Sequence, residues 1–141
     1  MLIFMRRLSE EKRGDLVAEL NEDTVRSLLL YLEENMRYRE KGKVVPIKMK
    51  HIRHQMEDYS YEEIYEAAKY LVGKGLATVA DGRIAASQYV FNGITPKGHE
   101  FIKAMREDTV WKRAKEATPL LLTKGIECAI EILSAIGPYH S

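Results

Sequence analysis

The stretch from Ile47 to Ala80, IKMKHIRHQMEDYSYEEIYEAAKYLVGKGLATVA, carries the pattern that predicts the fold. Its first part is a brief helix in which apolar residues share one face: Met49, Ile52 and Met56. Ser60 and Glu63 then form a capping box at the start of a second helix, and Gly75 is placed to end it. Two helices joined by a short turn are typical of a helix-turn-helix.

A β-hairpin is predicted directly after this pair of helices. Leu76–Ala80 is strand-like, and Asp81-Gly82 is a strong signal for a two-residue turn, from which the chain returns through Arg83 to Ile94. Thr95 and Pro96 begin the next helix, because threonine suits the capping position and proline the first helical one.

The residues before this unit predict two further helices and an extended piece. A charged helix over Ser9–Leu20 stops at Asn21, and Asp23 or Thr24 caps a stronger helix that runs to about Arg39. Residues 43–48 are extended, because a proline at position 46 blocks helix formation.

The order of helix, strand, two helices and hairpin predicts an α+β, mostly α-helical fold: a winged helix-turn-helix with added N-terminal and C-terminal helices. We assign residues 1–22 to an N-terminal helical extension, residues 23–107 to the winged-helix domain, and residues 108–141 to a C-terminal helical element. In that element a helix restarts at Asp108 or Thr109, and Pro119 begins the last one.

The last helix predicts a homodimer. A winged-helix core is already closed by its first helix and hairpin, so the apolar stripe of an added helix would remain exposed on a monomer, and such surface usually marks an interface. The alternative is that this helix folds back on the N-terminal extension. The predicted interface residues are Leu122, Ile126, Ile130, Leu133 and Ile136.

Composition excludes several classes of protein. The 141 residues are 45% hydrophobic and 30% charged with a net charge of +1, which argues against wholesale disorder and against a globally basic coat for nucleic acid. The single cysteine, Cys128, suits a reducing cytoplasm. We predict no membrane segment, because charged residues interrupt the most apolar stretch, Leu120–Ile136.

Charge is strongly segregated along the chain. Residues 37–54 hold seven bases and one acid, whereas residues 55–66 hold five acids and no base. A segment of +6 can neutralise several phosphates, so we predict contact with duplex DNA. The predicted DNA-binding residues are Arg37, Arg39, Lys41, Lys43, Lys48, Lys50 and Arg53, assisted by Lys69 and by Arg83 on the wing.

Two other interpretations of this charge remain open. The lysines can lie in a solvated loop and pair with the nearby acids. Alternatively, the chain is a protein-interaction module of phage origin that binds a host factor through Tyr59, Tyr61, Tyr65 and the surrounding acids, since tyrosines are enriched at protein interfaces.

No catalytic or metal site is predicted, and the chain is expected not to be an enzyme or to need a cofactor. His51, His54 and Glu57 lack the further ligands that a metal site requires. His99-Glu100 has no accompanying nucleophile or phosphate-binding loop, so we expect it to tie its helix to neighbours. Trp111 is expected to be an apolar anchor, with an exposed stacking platform as the alternative.

The stretch from Ile94 to Lys115, ITPKGHEFIKAMREDTVWKRAK, resembles a small family of bacterial and prophage proteins of uncharacterised function. The family hallmark is approximately L-T-W-x-G-H-E-F-L-D-x-I-R-D-D-T-V-W. The residues that match it are Thr95, Gly98, His99, Glu100, Phe101, Arg106, Asp108, Thr109, Val110 and Trp111. The resemblance implies a winged-helix fold and a mobile-element origin, and it implies no reaction.

A weaker similarity to the same family lies upstream, in Tyr59-Ser60 and Glu62-Glu63-Ile64. The chain departs from the family at Asp58, at Pro96 and at Glu66-Ala67-Ala68, where relatives carry glycine, tryptophan and Tyr-His-Leu. The last departure falls on the helix that would enter the major groove.

Overall fold

Helices dominate the described part of the chain, residues 20–36 and 45–137 of a computed structural model. The helices are α1 (Glu22–Met36), α2 (Met49–Gln55), α3 (Tyr61–Gly73), α4 (Pro96–Met105), α5 (Asp108–Ala117) and α6 (Ile126–Ile136). The strands are β1 (Ile47–Lys48), β2 (Ala77–Val79) and β3 (Val90–Ile94). The predicted α+β, mostly helical class is confirmed. The helix predicted over residues 9–20 lies almost entirely outside the described residues.

The three strands form one antiparallel sheet in the order β1-β3-β2. Ile47 pairs with Phe91 across β1 and β3, and Ala77 pairs with Ile94 across β2 and β3. An irregularity between Thr78 and Val79 interrupts the second ladder. The central strand β3 therefore joins the segment before α2 to the segment after α3.

The two-residue turn predicted at Asp81-Gly82 is wrong, because the connection between β2 and β3 is longer. Residues 80–89 form a loop with a 3₁₀ turn over Ala86–Gln88. Gly82 lacks the positive φ that a tight type I′ turn requires. Burial of Ala86 and Tyr89 against the core explains the longer path.

Helix α1 begins one residue after Asn21, which is its N-cap in place of the predicted Asp23 or Thr24. The Asn21 carboxamide oxygen accepts hydrogen bonds from the backbone N–H of Asp23 at 3.0 Å and of Thr24 at 3.3 Å. Asparagine is among the best capping residues because its short side chain reaches these otherwise unpaired donors. The predicted extension of this helix beyond Met36 lies outside the described residues.

The predicted ends of α3 are confirmed. The Ser60 hydroxyl accepts from the Glu63 N–H at 3.0 Å, and the Ser60 N–H donates to the Glu63 carboxylate at 2.9 Å. At the other end Gly75 has φ of +72°, while the Leu76 N–H donates to the Leu71 carbonyl at 2.8 Å. This is a Schellman ending, in which glycine takes the left-handed conformation without a steric cost.

One continuous core joins all of these elements. The fully buried side chains include Leu28 of α1, Phe91 of β3, Phe101 of α4 and Leu133 of α6. The segments predicted as a winged-helix domain and a C-terminal element thus share their apolar interior. None of the helices in the described residues combines the length and the apolar character that crossing a membrane requires.

The last helix begins at Ile126, not at Pro119 as predicted. Leu120 takes a left-handed conformation with φ of +60°, and a 3₁₀ turn follows over Leu121–Lys124. The Leu122 N–H donates to the Glu22 carboxylate at 2.6 Å, and the Tyr70 hydroxyl donates to the Leu122 carbonyl at 2.8 Å. Contacts from α1 and α3 therefore hold this turn and delay the helix.

The apolar stripe of the C-terminal element faces the interior of its own chain. Leu122, Ile126 and Leu133 are buried there, and Ile130 and Ile136 are partly buried against the same core. The expectation that this stripe leaves a large apolar surface on a monomer is wrong for the first three residues, because α6 packs on α4 and α5. The homodimer itself stays a prediction.

Candidate nucleic-acid interface

Helix α2 presents a basic face to solvent. Met49, Ile52 and Met56 are buried, whereas Lys50 and His54 are exposed on the opposite side. His51 and Lys48, the residue before the helix, are also exposed. Within the part of the chain that the structure describes, neither lysine has a carboxylate partner. We call Lys48, Lys50, His51 and His54 the α2 basic face.

Arg53 connects this face to α3. Its Nη1 donates to the Tyr65 hydroxyl at 3.1 Å, and its guanidinium carbon lies 5.0 Å from the centre of the Tyr61 ring. The two tyrosine rings have centroids 6.2 Å apart and are tilted by 45°. The guanidinium of Arg53 thus contacts two aromatic side chains of α3, and its predicted contact with phosphate stays a prediction.

The two assisting cations predicted for DNA contact are paired with carboxylates. Lys69 lies 2.9 Å from the Glu66 carboxylate on α3, and Arg83 lies 3.2 Å from Asp81 in the loop after β2. Such exposed pairs contribute little to stability, but each reduces the charge available to an anion. The other predicted ligands Arg37, Arg39, Lys41 and Lys43 lie outside the described residues.

Acidic side chains surround the start of α3, as the sequence pattern indicates. Glu57, Asp58 and Glu62 are exposed there. Glu63 has a structural role, because its carboxylate completes the capping box and accepts a hydrogen bond from the Asn21 amide at 3.0 Å. The basic face and the acidic start of α3 are thus adjacent but distinct surfaces.

The tyrosines predicted for a protein interface differ in their surroundings. Tyr59 is partly buried and its hydroxyl is hydrogen-bonded to that of Ser27 at 3.1 Å. Tyr65 is partly buried and accepts from Arg53. Tyr61 is 59% exposed. Of the three rings, only that of Tyr61 is available to a partner. The sequence pattern does not show this difference, because it depends on exposure in the folded chain.

The residues of the family hallmark form a structural junction. Arg26 of α1 donates to the carbonyls of Met105 at 2.9 Å and Arg106 at 2.8 Å, and to the Asp108 carboxylate at 2.8 Å. These carbonyls end α4 and lack helical partners, so the guanidinium satisfies them. The predicted restart of the helix at Asp108 is confirmed, and Arg26 is a contributor that sequence reasoning missed.

Trp111 is the buried anchor that we predicted, and its 4% exposure leaves no platform for a base. Its indole N–H donates to Asp23 at 2.8 Å, while Arg26 and Lys115 lie 5.7 and 5.4 Å from the ring centre. His99 and its neighbour Glu100, in contrast, are both exposed. Neither side chain has a partner among the described residues. The expectation that this pair ties the helix to its neighbours is therefore wrong.

The same junction lowers the pKa of Asp23 below its ordinary value of 3.8. Partial burial opposes ionisation of the carboxyl, but hydrogen bonds from Lys115 and Trp111 and the positive charge of Arg26 outweigh it. The unfolded chain consequently binds a proton at Asp23 more readily than the folded chain does. The stability contributed by this carboxylate is present above pH 3.8 and is lost as pH falls through the lower folded-state pKa.

We expect Asp23→Asn to remove this part of the acid sensitivity. The effect is about 0.5–1 kcal/mol, because the carboxylate is half exposed and its ion pair is screened. Urea unfolding followed by circular dichroism through the acid range measures it, with Asp58→Asn as the control. Equal acid sensitivity of the unaltered and Asp23→Asn proteins would contradict the assignment.

Comparison with known proteins places the chain in a family. The model of the family described as Hypothetical protein (DUF2513) matches residues 19–120, which include α1 to α5 and the hallmark stretch. No curated protein and no solved structure matches the chain. The predicted membership of a family without an assigned function is confirmed, while its bacterial or prophage origin stays a prediction. The chain belongs to the DUF2513 family of hypothetical proteins.

Proposed function

We propose that this chain is a non-enzymatic winged-helix protein that binds DNA chiefly through phosphate contacts. The order α1-β1-α2-α3-β2-β3 supports the winged helix, as does the antiparallel sheet with β3 between β1 and β2. In this arrangement α2 and α3 are the helix-turn-helix and the loop of residues 80–89 is the wing.

The α2 basic face is the observation that carries the proposal. In a helix-turn-helix the first helix crosses the DNA backbone while the second lies in the major groove. Lys48 and Lys50 are exposed without carboxylate partners in the described residues, so their ammonium groups are available to phosphate oxygens. Residues 37–43, which come before this face in the chain, hold four further bases and one acid.

Helix α3 is poorly suited to reading base edges. Glu62 is exposed near its start, and Glu66 neutralises Lys69. Carboxylates that enter the major groove are repelled by the phosphates on either side. The resulting binding depends on charge more than on sequence, so it weakens steeply with added salt.

Lys48→Glu combined with Lys50→Glu is expected to weaken binding at least about tenfold and to reduce the salt slope by about 2, one for each lost phosphate contact. Gel retardation and fluorescence anisotropy with duplex DNA at several salt concentrations measure both quantities. Lys112→Glu with Arg113→Glu changes the net charge equally on α5, where both side chains are exposed, and is the matched control.

Two results would contradict the proposal. One is the absence of salt-sensitive retardation of any DNA by the unaltered protein at low ionic strength. The other is an equal loss of affinity in the α2 and α5 variants, since net charge alone would then explain binding.

The alternative of a host-factor-binding module has less structural support, because Tyr59 and Tyr65 are engaged within the chain. The surface area of one exposed tyrosine side chain is small compared with the roughly 800 Å² that each partner buries in a standard interface. The regulatory role, the phage origin and the cytoplasmic location stay predictions.

A further inference from the structure

Tyr61 is an exposed aromatic ring at the first position of α3. Large apolar side chains are otherwise well covered in residues 20–36 and 45–137, where the other strongly exposed ones are the aliphatic Val45 and Leu120. An aromatic ring left 59% exposed offers a flat surface to a ligand. Tyr61 is not one of the residues on which the proposed function depends.

The Tyr61 ring is oriented rather than free. The Arg53 guanidinium lies against it at 5.0 Å, and the Tyr65 ring is tilted beside it at 6.2 Å. Arg53 is in turn held by the hydrogen bond that its Nη1 donates to the Tyr65 hydroxyl at 3.1 Å. A ring supported in this way loses little side-chain freedom when a second flat group stacks on it.

The ring lies beside the α2 basic face. Arg53 follows Lys50 by three residues and precedes His54, so these side chains lie within one helical turn of one another. A cationic track and an aromatic ring at its side are the two components that bind single-stranded nucleic acid, one for the phosphates and one for a base.

The acidic residues around Tyr61 favour the binding of single-stranded over duplex nucleic acid. Glu57, Asp58 and Glu62 are exposed at the same end of α3. A rigid duplex pressed against this ring would bring a second row of phosphates towards those carboxylates. A single strand can keep its phosphates on the α2 side and turn one base towards the ring.

We propose that Tyr61 is a stacking platform for an unpaired base, and that DNA with unpaired bases is the preferred ligand of this surface. This inference rests on the proposed function, because Lys48 and Lys50 supply the phosphate contacts. Arg53 is a positioning residue that acts through the tyrosine rings.

The test compares one single-stranded oligonucleotide of about 20 nucleotides, longer than the sites of roughly 4–16 nucleotides typical of such platforms, with its duplex. Anisotropy of the labelled strand measures affinity for both forms. Tyr61→Ala is expected to weaken single-strand binding about tenfold or more, the effect of removing one stacked base, and to leave duplex binding within about twofold. Tyr61→Phe keeps the ring and should bind as the unaltered protein does.

Tyr61→Trp gives a direct readout of stacking. Stacking should quench the fluorescence of the introduced indole when the single strand binds, while Trp111 contributes little change because it is buried. Thermal unfolding of each variant checks that the exposed position tolerates substitution.

The outcomes separate this inference from the proposed function. One outcome is that the Lys48→Glu, Lys50→Glu protein loses duplex binding while Tyr61→Ala leaves single-strand binding unchanged. This outcome overturns the stacking platform and leaves the proposed function standing. Equal weakening of both DNA forms by Tyr61→Ala also overturns the stacking platform. If the unaltered protein binds neither form, the proposed function fails and the platform fails with it.

Discussion

Replacing Gly98 by alanine is expected to lower the free energy of unfolding by about 3 kcal/mol, because the added methyl group has no space. A Cβ at this position would lie 2.1 Å from the Leu76 carbonyl oxygen and 2.8 Å from the Ile94 side chain. The Leu76 carbonyl is itself held, since it accepts a hydrogen bond from the Thr95 N–H at 3.1 Å. Relief of the clash therefore requires α4 to move away from the sheet.

Gly73→Ala is the matched control for this substitution. No atom lies within 4 Å of a Cβ at Gly73, which has helical geometry in the last turn of α3. Alanine there should raise the free energy of unfolding by about 0.5–1 kcal/mol, because it restricts the unfolded chain more than glycine does. Urea unfolding measures both variants, and a Gly98→Ala protein as stable as the unaltered one would show that α4 is not tightly packed at this point.

Truncation of Trp111 to alanine is expected to cost about 3–5 kcal/mol, as is usual for a large aromatic side chain lost from a core. The ring is buried between α5 and α1, with Arg26 and Lys115 near it. Its removal leaves a cavity and also leaves Asp23 without the indole N–H. The junction that joins the hallmark helices to α1 would lose its largest apolar contact.

Trp111→Phe distinguishes packing from hydrogen bonding at the same site. Phenylalanine keeps most of the buried surface but lacks the N–H donor, so we expect a smaller loss of about 1.5–2 kcal/mol, the lower part of the range for a hydrogen bond to a charged group, because the Asp23 carboxylate is half exposed. Guanidinium or urea unfolding of the two variants measures the difference. Equal losses in the alanine and phenylalanine variants would mean that the bond to Asp23, and not packing, dominates at Trp111.

Both substitutions concern residues of the family hallmark, and the structure gives them architectural roles. Gly98 permits close packing of α4 on the sheet, as a glycine at a close approach does. Trp111 anchors α5 to α1. A DNA-binding test that failed in these variants would report loss of folding, which is why the functional tests use the exposed Lys48, Lys50 and Tyr61.

Much of the site could be predicted in outline and little of it in detail. The segregation of charge along residues 37–66 is visible in the sequence, and the exposure of Lys48 and Lys50 agrees with it. The pairing of Lys69 with Glu66 uses neighbours on one helix and could have been anticipated from their spacing. The support of Tyr61 by Arg53 requires α2 and α3 to be docked, so spacing alone could not indicate it.

Features that depend on neighbouring residues follow from the amino-acid sequence alone: the capping box at Ser60, the glycine ending at Gly75, and the Thr95-Pro96 helix start. Their energies come from hydrogen bonds and backbone conformations within a few positions, so a local pattern is sufficient. The length of the loop before β3 and the late start of α6 were decided by tertiary structure. They depend on burial of Ala86 and on a Glu22 carboxylate 100 positions from its partner, contacts that exist only once the chain has folded.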